Sequence, residues 1–222
     1  MNSRFSEELW ASGAATYAQI LRHPFLAGLT DGTLERDAFS YFVIQDSRYL
    51  RAYSRALSLV SAKSPDEDAV RMFALHASNA IDVERELHAG LLTELGINSD
   101  DLAATGSGPT TTAYMSYLTA VCATGSYAEA VAAVLPCYWV YRDVGRALLA
   151  RSSPDPLYAT WITTYGSAEF DAVVDSVLTA VDALGDQVGP GERQRCRYHF
   201  AMTTRYEWMF WDAAYRQLSW PI

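Results

Sequence analysis

Apolar side chains recur along the chain at intervals of three and four rather than in alternation, and no Asn-Gly type turn joins two β-branched runs. The pattern predicts an all-α protein with helices at about 4–21, 35–62, 66–95, 110–123, 127–151, 155–162, 167–185 and 191–217. Residues that stop helices stand between them. Asp31-Gly32-Thr33 reads as a turn, Pro65 sits near the first turn of the helix it precedes, and Gly96, Gly106, Gly108 and Gly125 mark ends or loops. Ser152-Ser153-Pro154 and Val188-Gly189-Pro190-Gly191 close two more helices. Long helices with shorter ones packed across them make a multi-helix bundle. No repeat, linker or low-complexity tract interrupts the chain, so one domain over 1–222 is expected.

Half of the 222 residues are hydrophobic, enough for a sizeable core. A formal net charge of −9 argues against a nucleic-acid or anionic-membrane partner, because both select basic patches. A small molecule or a protein is the expected partner. The N-terminal MNSRFSEELW has no apolar signal core, and no window approaches the roughly 18 apolar residues of a membrane helix. The expected location is therefore cytoplasmic. Cys122, Cys137 and Cys196 are too few and too scattered for a disulfide framework or a cysteine-based zinc site. The 14 tyrosines and 6 tryptophans exceed the needs of a plain helical scaffold, which suggests that rings are used for binding.

One helix carries an unusual pair. In VLPCYWVYRDVG, residues 134–145, Pro136 stands beside Cys137 in the interior of a predicted helix. Proline removes one ladder hydrogen bond and crowds the carbonyl four residues back, at about 3 kcal/mol unless a kink relieves it. The expectation is a bend that opens space beside Cys137, with Tyr141 one turn further on the same face. A buried cysteine is usually a small hydrophobe, and Cys122 and Cys196 are read that way. Cys137 earns a chemical role only with acid/base partners. Asp46, set among Val43, Ile44, Tyr49 and Leu50, is one candidate, because a lone carboxylate among apolar neighbours is expensive. Glu207 is the other, sharing a face with His199, Thr203 and Trp211 amid Tyr206, Trp208, Met209 and Phe210. For each, a structural ion pair or an edge-of-core position is the plain alternative.

The stretches HPFLAGLTDGTL, FVIQDSRYL, VLPCYWVY, WITTYGS and RYEWMFWDAAYR, in that order from His23 to Arg216, resemble the thiaminase II (TenA) family, in its cysteine-containing branch. The resemblance implies the haem oxygenase-like helical fold and hydrolysis of an aminopyrimidine or of thiamin to hydroxymethylpyrimidine. It implies Cys137 as the nucleophile, Glu207 as acid/base, and Asp46 holding the ring nitrogen and exocyclic amine. Tyr49, Tyr114, Tyr141 and Tyr165 fall where the family places pocket tyrosines, and Phe210 where a ring would stack. Met209 stands where the family often has a polar residue. A homotetramer is implied, with no cofactor and no metal.

Two other classes compete. The same architecture hosts haem and di-iron proteins, and Glu84 with His88 could ligate a metal. None of His23, His76, His88 and His199 has a glutamate three residues earlier, so the Glu-x-x-His signature is missing, and solvated charge is the first reading of the 76–88 cluster. The third class is a binding protein or regulator for another heteroaromatic ligand, against which an intact Cys–Glu–Asp set argues.

Overall fold

The computed structural model describes residues 4–98 and 105–222 and, within that range, the side chains of all but 83, 84 and 86–89. Every described element is a helix: α1 Phe5–Ile20, α2 Pro24–Asp31, α3 Arg36–Lys63, α4 Glu67–Glu94, α5 Pro109–Thr124, α6 Tyr127–Leu149, α7 Pro156–Tyr165, α8 Ala168–Leu184 and α9 Pro190–Arg216. The starts follow local chemistry. Asp66, Asp155 and Ser167 accept backbone N–H bonds from Ala69, Leu157 and Phe170, and Ser126 forms a reciprocal box with Glu129. Proline opens α2, α5, α7 and α9, where its missing N–H is not needed.

Helix α3 lies along α4 and against α5, while α9 is gripped between α1 and α6 and reaches α3 and α5. The core is continuous across these contacts, from Phe5 and Leu9 through Phe39, Phe42 and Leu57 to Trp161 and Trp211. No helix among the described residues is long and apolar enough to cross a membrane.

The structure departs from the expected elements in two places. Residues 24–31, which lie outside the predicted helices, form α2. Its 8 residues are too short to show a period, and the start is made by the cap: the His23 ring accepts from the Phe25 N–H at 3.2 Å. His23 also lies 3.5 Å from Asp212 of α9. Gly32 ends the helix at φ 71°, where a side chain would be strained. Next, α7 runs to Tyr165 rather than 162, with the Thr163 and Thr164 hydroxyls bonding the carbonyls four residues back and Gly166 capping. As expected from the sequence, α6 runs through Pro136 as one helix.

Helix α6 meets the end of α7 where no side chain fits. A Cβ on Gly145 would lie 2.5 Å from the Tyr165 carbonyl carbon and 2.6 Å from its oxygen. Gly145→Ala is therefore expected to destabilise the protein by about 3 kcal/mol through overpacking against backbone. Thermal unfolding measures the loss, and an unchanged Tm would show that α7 can back away freely.

Candidate active site

Asp46, Tyr49 and Tyr53 lie at helical spacing on one face of α3 and are all buried. Across from them, α6 supplies Cys137, Tyr138 and Tyr141, and the last residue of α7 supplies Tyr165. Between these helices opens a cavity of about 290 Å³. Asp46, Tyr53, Cys137, Tyr138, Tyr141 and Tyr165 line it. Its wall continues to Leu50 and Leu57 of α3, to His76, Asn79 and Ala80 of α4, and to Thr164, Ser167, Glu169, Phe170 and Val173 around the α7–α8 junction.

Four of the eight residues singled out in the sequence therefore reach the cavity: Asp46, Cys137, Tyr141 and Tyr165. Glu207, Tyr49, Tyr114 and Phe210 do not line it; they form a buried layer. Glu207 is only 1 % exposed, and the Tyr114 hydroxyl donates to its Oε1 at 2.6 Å. The Tyr114 ring lies 4.8 Å from that of Tyr49, and Phe210 packs at 5.8 Å from Tyr49 and 5.7 Å from Phe42. The Tyr141 ring sits 4.9 Å from Tyr165 and 5.3 Å from Trp211. Met209 is 40 % exposed and no part of the cavity wall. Cys122 and Cys196 are buried in the core, with thiols pushed up to about 12 by burial.

The electrostatics of the layer follow from its dryness. Burial raises the Glu207 carboxyl to about 8; the charge of Asp46 adds to this, and the Tyr114 hydrogen bond opposes it. At neutral pH Glu207 is mostly protonated. The Cys137 thiol is pushed well above its ordinary value, first by burial and then by the charges of Glu207 and Asp46, with Tyr49 and Tyr53 acting the other way. The resting pair is thus a neutral thiol and a neutral acid. Tyr49 faces both the thiol and Tyr114, yet its buried hydroxyl has no hydrogen bond of normal geometry among the described residues. Such a group is free to relay a passing proton.

Several wall residues escaped the sequence reading. Tyr53 is two turns beyond Asp46 on its face, and its hydroxyl donates to the Val134 carbonyl at 3.0 Å. His76, read as part of a solvated charge cluster, instead lines the cavity with Nδ1 3.2 Å from the Tyr138 hydroxyl. The side chains of Glu84 and His88 lie outside the described residues. Among the described residues no three His, Cys, Asp or Glu side chains are grouped so that they could hold a metal.

The chain is 34 % identical over 217 residues to the aminopyrimidine aminohydrolase of Bacillus subtilis, covering 98 % of this chain and 92 % of that protein. Its fold matches a TenA homologue protein from P. horikoshii OT3 with a TM-score of 0.89 at 27 % identity, over 96 % of this chain and 99 % of the other. A domain with a heme oxygenase-like fold from Shewanella denitrificans OS217 superposes with a TM-score of 0.71 at 15 % identity, over 92 % of this chain and 89 % of that one, which speaks to the fold alone. The model of the TENA/THI-4/PQQC family matches residues 10–217, which with the shared helical architecture establishes that the chain belongs to that family.

Proposed function

We propose that the protein is an aminopyrimidine aminohydrolase of the thiaminase II type. It hydrolyses 4-amino-5-aminomethyl-2-methylpyrimidine, and thiamin, to hydroxymethylpyrimidine. The observation that carries the reading is the placement of one thiol, Cys137, on the wall of a cavity that also holds Asp46, with the carboxyl of Glu207 near enough to influence the thiol. In this reading Asp46 holds the ring nitrogen and exocyclic amine, and the tyrosine faces flank the ring.

Cys137 sulfur bonds the ring carbon next to the one bearing the methylene. Glu207 gives its proton to the ring nitrogen, and the thiol proton passes to the carboxylate so formed. The resulting enamine expels the group on the methylene, which leaves with its electron pair. Water adds at that carbon and loses a proton, the C–S bond breaks with its pair returning to sulfur as the ring nitrogen gives up the proton it received, that proton restores the thiol by way of Glu207, and hydroxymethylpyrimidine departs. Tyr49, Tyr114 and Phe210 act from the buried layer, setting Glu207 and the packing behind the ring rather than touching the cavity.

As one domain over 1–222, the protein works in the cytoplasm as a homotetramer in this reading. In support of self-association, Met209, Tyr215, Leu218 and Trp220 are exposed apolar groups gathered at the C-terminal end. The direct test is a discontinuous assay of the purified protein for hydroxymethylpyrimidine released from the aminomethylpyrimidine and from thiamin. Release supports the reading and the relative rates rank the substrates; no release from either compound overturns it.

A further inference from the structure

We propose that the outer half of the cavity is a subsite for the group leaving the pyrimidine methylene, and that Glu169 makes this subsite selective for a cationic leaving group. The inference rests on the reaction proposed above and adds a specificity residue to it.

The cavity has two unlike ends. At the inner end Asp46, Tyr53, Tyr138 and Tyr141 are all buried. At the outer end Asn79 and Glu169 are exposed, and His76 is half-buried. A ring held by Asp46 beside Cys137 leaves its methylene substituent to the outer end.

Charge at that end is one-sided. The charged residues of the described wall are Asp46 and Glu169, and neither Lys nor Arg is among them. An acid in the first turn of α8 is favourable in any case, so its position alone is no argument. The pairing pattern is. Further along α8, Asp171 is bridged to Arg146 at 2.8 Å, Asp175 to Arg142 at 2.8 Å, and Asp182 accepts from the Ser6 N–H. Glu169 alone among these faces the cavity, and it has no ion-pair or hydrogen-bond partner among the described residues. The part of the wall that α4 supplies is polar but uncharged: burial keeps His76 neutral, Tyr138 occupies its Nδ1, and Nε2 is the ring nitrogen left for a ligand, one turn from Asn79.

An uncompensated carboxylate in a cavity whose other outer-end polar groups are neutral favours an ammonium or a thiazolium-type cation. It repels a phosphorylated substrate and is indifferent to an N-acylated, neutral amine. The departing amine or thiazole stays near Glu169 while the C–S bond is still intact.

The test compares the full-length wild type with Glu169→Gln on two substrates, the aminomethylpyrimidine and its neutral N-formyl derivative. Glu169→Gln is expected to lower the ratio of kcat/KM, cationic over neutral, about fivefold, and Glu169→Arg to lower it further. Added salt should lower the wild-type ratio and have less effect on Glu169→Gln. A ratio that stays put, or equal losses on both compounds, overturns the proposal. The same pair is measured as ligands by calorimetry in a Cys137→Ser background, where no turnover interferes. If wild type cleaves neither compound, the proposed reaction falls, and the binding ratio still decides the subsite: a fivefold shift keeps it, and no shift or no binding removes it.

Discussion

Cys137→Ser is expected to lower kcat for hydroxymethylpyrimidine release by about 10³-fold or more, roughly 4 kcal/mol of barrier, while substrate binding survives. The hydroxyl occupies the same place on the cavity wall, so the contacts of Asp46 and the tyrosines are kept. What is lost is a soft nucleophile whose proton can be removed. The thiol is itself neutral at rest, held there by burial and by the neighbouring carboxyls. Its ionisation must therefore coincide with proton delivery to the substrate, and a serine hydroxyl, far less acidic, fails at that step. Single-turnover kinetics alongside calorimetric binding would separate the two effects. Turnover within a few-fold of wild type would remove the thiol from the mechanism.

Glu207→Gln is expected to cost about 10²- to 10⁴-fold in kcat, the range for a removed general acid/base. Its glutamine can still accept the Tyr114 hydroxyl bond through the amide oxygen. With the carboxyl near 8, the acid form that supplies the ring proton is lost as pH rises through 8. Wild-type kcat/KM should fall there.

The same shift predicts a stability change of definite sign. The carboxyl is raised from 4.5 in the unfolded chain to about 8 in the fold, so between these values the native state keeps a proton that the unfolded chain has released. Below pH 4.5 both states are protonated and the contribution is fully present. It is lost progressively up to pH 8, by an amount on the order of 5 kcal/mol. The glutamine variant has no such proton, so its Tm should be flatter from pH 5 to 8, and its advantage over wild type largest at pH 8. Parallel Tm–pH curves for the two proteins would show that Glu207 ionises in the fold as it does in the unfolded chain.

Much of this was legible before any coordinates. Asp46 and Glu207 were singled out because a carboxylate among apolar helix positions is expensive, and both are buried. Cys137 stood out from Cys122 and Cys196 by its proline neighbour, and of the three it is the one on the cavity wall. Other residues left no such trace. His76 sits among charged residues in sequence and reads as solvated, because nothing local says that α4 turns it toward Tyr138 of α6. Glu169 looks like an ordinary first-turn acid until its lack of an arginine is seen beside Asp171 and Asp175.

The sequence by itself determined the helices, through apolar period, caps and proline placement, and it determined which side chains were available for chemistry. These are local matters, decided within a turn or two of each residue. Only the tertiary structure decided which of those side chains share a wall and which stand in the layer that does not reach the cavity. It also decided that Glu207 and Cys137 rest protonated. Packing of α3, α5, α6 and α9 sets how much water reaches each group and how near its charged neighbours lie, and both depend on residues distant in the chain.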